Sequence, residues 1–134
     1  MKGKALLLVR YGDAARAFEM REVDLPEPSP GEVCIQAEAF GLNYADVMAR
    51  LGLYREAPPI PALIGYETLG RVIAVGAGVD PNMMGKRVAA FCRFKGYASH
   101  VNTAARACAE VPDDWETGKA LAMVTQYSTA WYAS

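Results

Sequence analysis

All eight prolines and eleven of the twelve glycines of this chain fall within its first 112 residues, so no regular element there can run far before it is broken. Proline has no N–H to give to a ladder or a helix, and glycine lets the backbone turn where other residues resist. What lies between the breaks is apolar or alternating. Residues 4–10 read as a buried strand and Phe18-Glu19-Met20-Arg21 as a half-buried one. Leu25-Pro26-Glu27-Pro28-Ser29-Pro30-Gly31 must form a loop. Residues 32–40 set Val33, Ile35, Ala37 and Ala39 on one face and Gln36 and Glu38 on the other, the period of a strand between core and water. Further strand-like runs cover 69–76, 86–91, 97–102 and 107–111, with a turn at 78–82. Short strands with frequent turns make a small barrel or sandwich.

Two segments read as helix. Asn43 is placed to cap residues 44–51, where Val47, Met48 and Leu51 share a face, Asp46 and Arg50 lie one turn apart, and Gly52 stops the run. Near the end, Asp113 and Glu116 have capping-box spacing, and Leu121, Val124, Ser128 and Trp131 follow at helical intervals. That stripe continues to Ser134 without a stop, which predicts a mainly β domain over 1–112 and, over 113–134, the start of a helical connection to a further, missing domain.

A chain of 134 residues, 52% hydrophobic and 22% charged, is of the size and composition of one ordered domain. Its 14 basic and 15 acidic residues are interspersed, giving a net charge of −1 and nothing to neutralise a row of phosphates, so neither nucleic acid nor an anionic membrane is an expected partner. No stretch reaches the apolar length of a membrane span, and the run Ala5–Val9 is too short for a signal peptide, so the chain reads as cytoplasmic. Cys34, Cys92 and Cys108 are widely spaced and His100 is the single histidine, a poor start for a tetrahedral zinc site.

Site motifs are sparse. Gly65 and Gly70 have phosphate-loop spacing, but Arg71-Val72 follow and open a strand instead of the Lys and helix that such a loop needs. Gly76-Ala77-Gly78 runs into Asp80-Pro81 and reads as a turn. Ser99 and His100 are neighbours in an expected strand, where alternation sends them to opposite faces and denies them a dyad. By residue chemistry alone the chain is a β-rich soluble domain.

Longer passages carry more. Gly41-Leu42-Asn43-Tyr44-Ala45-Asp46 through Gly52-Leu53-Tyr54, Ile64-Gly65-Tyr66-Glu67 through Gly76, Gly85-Lys86-Arg87-Val88 and Gly96-Tyr97-Ala98-Ser99 follow in order. They resemble the G-x-N-x-x-D, P-G-x-E…G-V-V-x-x-V-G, G-D-R-V and G-x-Y-A-E segments of zinc-free quinone oxidoreductases in the medium-chain dehydrogenase/reductase superfamily. The likeness is strongest to the zeta-crystallin and vesicle amine transport branch. The resemblance implies a GroES-like, partly open β-barrel whose last helix leads into a Rossmann domain. It also implies an activity: NADPH-dependent reduction of a quinone or another α,β-unsaturated carbonyl by a homo-oligomeric parent protein, with this chain inactive alone. A non-enzymatic, lipid- or vesicle-associating binding protein on the same scaffold is the alternative.

Residue roles follow from the same resemblance. Asn43 would bond near the nicotinamide end of the cofactor, although it also reads as a helix N-cap. Thr129, followed by Ala130-Trp131, would contact the nicotinamide amide. Tyr54 would line the acceptor pocket as the catalytic-site aromatic. Met48 stands where relatives often carry a cofactor-contacting tyrosine. Zinc-dependent relatives place Cys, His and Cys where this chain has Asn43, Tyr66 and Thr125, and an amide, a phenol and a hydroxyl are poor zinc donors at neutral pH. No zinc is therefore expected.

Overall fold

A glycine hairpin and a short capped turn start the chain folding back on itself. In the computed structural model, which describes residues 2–40, 44–53, 55, 57–65, 67–92 and 94–121, β1 (Lys2–Leu8) leads into a single helical turn, α1 (Ala14–Ala17). The Asp13 carboxylate caps that turn by accepting the Ala15 N–H at 3.3 Å. Strand β2 (Phe18–Asp24) then returns antiparallel to β1, with Leu6 opposite Met20.

After the proline loop come β3 (Glu32–Phe40), α2 (Tyr44–Arg50), β4 (Glu67–Val75), β5 (Arg87–Phe91), β6 (His100–Ala104) and β7 (Cys108–Glu110). The last five strands form one antiparallel sheet in the order β6-β3-β4-β5-β7. Residues 97–99, just before β6, join this sheet to the β1–β2 hairpin. On one side Leu6 N–H donates to Tyr97 O at 2.9 Å and Ser99 N–H to Lys4 O at 2.8 Å; on the other, Ala37 N–H donates to Ser99 O at 2.7 Å. The two sheets curl together without closing, as a mainly β, partly open barrel.

Val33, Ile35, Val72, Val88 and Ala90 fill the concave side of the large sheet. A second cluster of Leu8, Ala17, Ala49, Ala62, Ile64 and Tyr97 sits between the hairpin, α2 and the loops. Here Tyr97 stacks on Phe40 with ring centroids 4.6 Å apart and meets Phe18 at 5.6 Å.

Strands β3 and β4 approach unusually closely. A Cβ on Gly70 would lie 2.0 Å from the carbonyl oxygen of Gln36, opposite a register shift between Ala37 and Ala39. A Cβ on Gly76 would come equally close, 2.0 Å, to Ser29 O. These glycines are there for backbone packing, which agrees with their rejection as phosphate loops.

Four local expectations change. The four-residue α1 was not foreseen. Helix α2 buries Ala49, at 2% exposure, whereas Val47 and Leu51 are 39% and 43% exposed, because the helix meets Ala17 and Ala62 through its smallest side chain. Residues 113–115 form a turn, with Trp115 N–H on Pro112 O at 3.1 Å, and helix starts at 117, with Ala120 N–H on Glu116 O at 3.0 Å. Asp113 is therefore no helix cap; it pairs with Arg71 at 2.9 Å. Ser99 and His100 are in contact, their Oγ and Nδ1 separated by 2.9 Å.

Candidate functional site

Of the residues singled out from the sequence, Met48 is described: it lies half-buried in α2, and its carbonyl accepts the Leu53 N–H at 2.8 Å as the helix ends. Asn43, Tyr54 and Thr129 lie outside the described residues, as do Tyr66 and Thr125. What the structure does define is where the segments that carry them begin. Phe40 pairs with Thr68, so the end of β3, three residues before Asn43, lies beside the start of β4, just after Tyr66. The segment that leads toward Thr129 packs Trp115, Ala120 and Leu121 on Leu69 of β4 and Ala89 of β5. Three chain segments thus depart from one end of the sheet.

A cavity of about 410 Å³ opens at this end, lined by Leu6 and Met20 of the hairpin, Ala37–Phe40 of β3, and Tyr97–Ser99. Its floor is aromatic, and its polar groups are Lys4, Glu38 and Ser99. A larger cavity, about 490 Å³, lies among Glu32, Val79, Asp80 and Arg106. That one sits at the far end of β3, and eight strand steps at roughly 3.3 Å each put it about 26 Å from Phe40. Size favours it; position relative to the three converging segments does not.

Ser99 and His100 do not amount to a hydrolytic pair. Ser99 Oγ accepts the Lys4 N–H at 2.8 Å while bonded to His100, and no carboxylate among the described residues orients the imidazole. Gly3 leaves them room, since a Cβ there would lie 2.9 Å from both Ser99 Oγ and His100 Nδ1. The pair seats β1 against the 97–99 segment.

The thiols are equally unsuited to chemistry. Burial pushes Cys108 up to about 11, and burial, helped by the Glu27 carboxylate, raises Cys34 as well. Among the described residues no three His, Cys, Asp or Glu side chains come together as a metal site would require. Nor do the described helices, of four and seven residues, offer a place for a dinucleotide's phosphates. The described residues fit at most the uncharged end of such a cofactor.

One polar residue escaped the sequence reading. Arg87, within an apolar run, is only 6% exposed and has its guanidinium on Glu38 and on three backbone carbonyls. The signal was its place in the Gly85-Lys86-Arg87-Val88 motif, which was noted as a likeness without asking what the arginine holds.

An open antiparallel barrel, with its loops and its aromatic cavity at one end of the central strands, is the architecture of a GroES-like domain. Residues 29–131 match the alcohol dehydrogenase GroES-like domain family, and the chain belongs to it. Within the medium-chain dehydrogenase/reductase superfamily it falls in the zinc-free quinone oxidoreductase group. It is 34% identical over 129 residues to the human synaptic vesicle membrane protein VAT-1 homolog, covering 96% of this chain and 33% of that protein. The crystal structure of the human VAT-1 homolog-like protein superposes with a TM-score of 0.83 at 33% identity, over 91% of this chain and 39% of that one. The Escherichia coli quinone oxidoreductase solved with NADPH gives 0.79 at 28% identity, over 89% and 36%. The chain spans about a third of the length of the curated relatives it matches. No helix among the described residues is long and apolar enough to cross a membrane.

Proposed function

We propose that this chain is the substrate-side domain, residues 1–112 with a connecting segment over 113–134, of a cytoplasmic, zinc-independent, NADPH-dependent oxidoreductase. Its acceptor is a quinone or another α,β-unsaturated carbonyl. The observation that carries the reading is the convergence of the segments leading to Asn43, Tyr66 and Thr129 on one end of the β3–β4 pair, in a domain whose relatives include quinone oxidoreductases. Asn43 and Thr129 hold the nicotinamide end, Tyr54 faces the acceptor, and Met48 flanks the cofactor. The cofactor, when bound, supplies the hydride. Without a Lewis acid an alcohol is a poor substrate, whereas an enone or quinone brings its own electrophilic carbon.

The chain by itself makes two polar contacts to one end of NADPH and none to its phosphates. Charge-assisted phosphate contacts contribute about 1.5–3 kcal/mol each, so their loss costs roughly a thousandfold or more in affinity. Calorimetric titration with NADPH should show no micromolar binding, and NADPH absorbance should not fall when a quinone is added. Joined to the nucleotide-binding domain of a quinone oxidoreductase, the chain should oxidise NADPH with quinones or enones, and Asn43→Ala should lower kcat/KM at least tenfold. A chimera that binds NADPH yet turns over no acceptor would favour a non-enzymatic binding protein.

A further inference from the structure

Arg87 is the single buried cation among the described residues. A guanidinium does not lose its proton in a protein, so its burial demands partners that remain in place. They come from two distant parts of the chain. Arg87 Nε donates to Glu38 Oε2 of β3 at 3.3 Å. Its Nη1 donates to Pro112 O at 3.0 Å and Trp115 O at 2.8 Å, with Asp113 O at 3.5 Å. The backbone adds to the grip, because Arg87 O accepts the Val111 N–H at 2.8 Å. One side chain on β5 therefore ties the end of β3 to the turn from which the 117–121 helical segment starts.

We propose that Arg87 is a positioning residue of the candidate site, setting the strand end that runs into Asn43 and the segment that runs toward Thr129 in one fixed relation. The roles of Asn43 and Thr129 rest on the function proposed above; the latch itself does not. Two neighbouring ion pairs cannot substitute for it. Arg71–Asp113 and Lys86–Glu110 have side chains 40–73% exposed, where water screens them and the side chains pay entropy to meet. Lysine could not replace Arg87 either. A single ammonium cannot lie against a carboxylate on one side while serving a ring of carbonyls on the other, as the planar fork does.

The test uses the 134-residue chain with Arg87→Lys and Arg87→Met. Peptide-resolved hydrogen exchange should quicken at least tenfold over 112–121 in both variants and stay unchanged in β1 and β2. If the methionine variant does not fold, the lysine variant, which keeps the charge, decides. In the parent chain, millimolar NADPH should move the amide resonances of Asn43 and Thr129 together, and Arg87→Lys should weaken both responses at least threefold. Unchanged exchange over 112–121, or an equal rise in every strand, would overturn the latch. Loosened exchange with undiminished NADPH responses would overturn its positioning role. If NADPH moves neither resonance in the parent chain, the assignment of Asn43 and Thr129 fails, and the exchange data judge Arg87 separately.

Discussion

Replacing Gly70 by alanine should damage this fold more than any other single methyl group added to a glycine of β4. The added Cβ would lie 2.0 Å from Gln36 O, 2.8 Å from Gln36 C and 2.9 Å from Ala37 Cα, all backbone atoms that no rotamer change can move. Ordinary contact begins near 3.4 Å, so β3 and β4 must separate by about 1.4 Å at this point. Strands normally lie about 4.8 Å apart, joined by N···O bonds of about 2.9 Å, and such a retreat takes the bonds beside Gly70 beyond the range of roughly 3.2 Å. Losing about two bonds at about 0.5–1.5 kcal/mol each, with overpacking of about 1–3 kcal/mol, gives a loss of about 2–6 kcal/mol. A domain of this kind holds about 5–15 kcal/mol in total. Urea unfolding followed by far-UV circular dichroism would measure the change. Gly118→Ala is the control: nothing lies within 4 Å of its Cβ, and the residue is helical, so the change should be neutral or stabilise by up to about 1 kcal/mol. If Gly70→Ala unfolds within about 0.5 kcal/mol of the parent chain, the close strand crossing is not what requires glycine there.

Cys108, pushed up to about 11 by burial, should react with disulfide reagents only slowly at pH 8 and faster by about tenfold per pH unit up to that value. The folded state holds this proton more tightly than the unfolded chain, so its contribution to stability is complete below the ordinary thiol value of 9.0 and is lost as pH rises toward 11; rapid labelling of the native chain at pH 7 would contradict the assignment. Lys86→Ala, which removes an ion pair 40% and 64% exposed, should change stability by less than about 1 kcal/mol, whereas Arg87→Met, stranding a half-buried Glu38 and three carbonyls, should cost about 3–5 kcal/mol in the same urea assay. Elemental analysis after dialysis should find far less than one zinc per chain, and a stoichiometric, chelator-resistant ion would refute the reading of Asn43, Tyr66 and Thr125.

Strand β3 was legible to the residue, because Val33, Ile35 and Gln36 obey a period of two from its first turn signal to its last. The same rule failed at Ser99 and His100. Alternation holds within a regular strand, but β6 begins at His100, and Ser99 belongs to the irregular link that bonds to β1 and β3. Helix α2 misled for another reason: large apolar side chains imply a buried face, yet two helices or loops can approach closest through alanine, and here Ala49 does so. Four residues of α1 are too few to show a period at all. Arg87 stayed hidden because arginine is counted as a surface residue, and its partners stand 49, 25 and 28 positions away in sequence. The candidate site residues were legible through family resemblance alone; no spacing or charge pattern would have selected Asn43 over any other helix cap.

The constraints found separately converge on the last three residues of β3. Gly70 lets β4 approach so closely that the strand must shift register between Ala37 and Ala39. Glu38, within that shift, is held by Arg87 at 3.3 Å. Ala39 O accepts the Thr68 hydroxyl at 3.4 Å, and Phe40 is stacked under Tyr97. A free strand end would fray, and a side chain three residues beyond it would sample positions several ångströms apart, which hydride transfer between aligned partners does not tolerate. Bracing the exit of β3 from the opposing strand, from β5 and from the aromatic floor removes that freedom before the chain reaches Asn43. Rigid support beneath a mobile loop is what a preorganised site requires, and it explains why so small a domain devotes a glycine, an arginine and two aromatic rings to three residues of one strand.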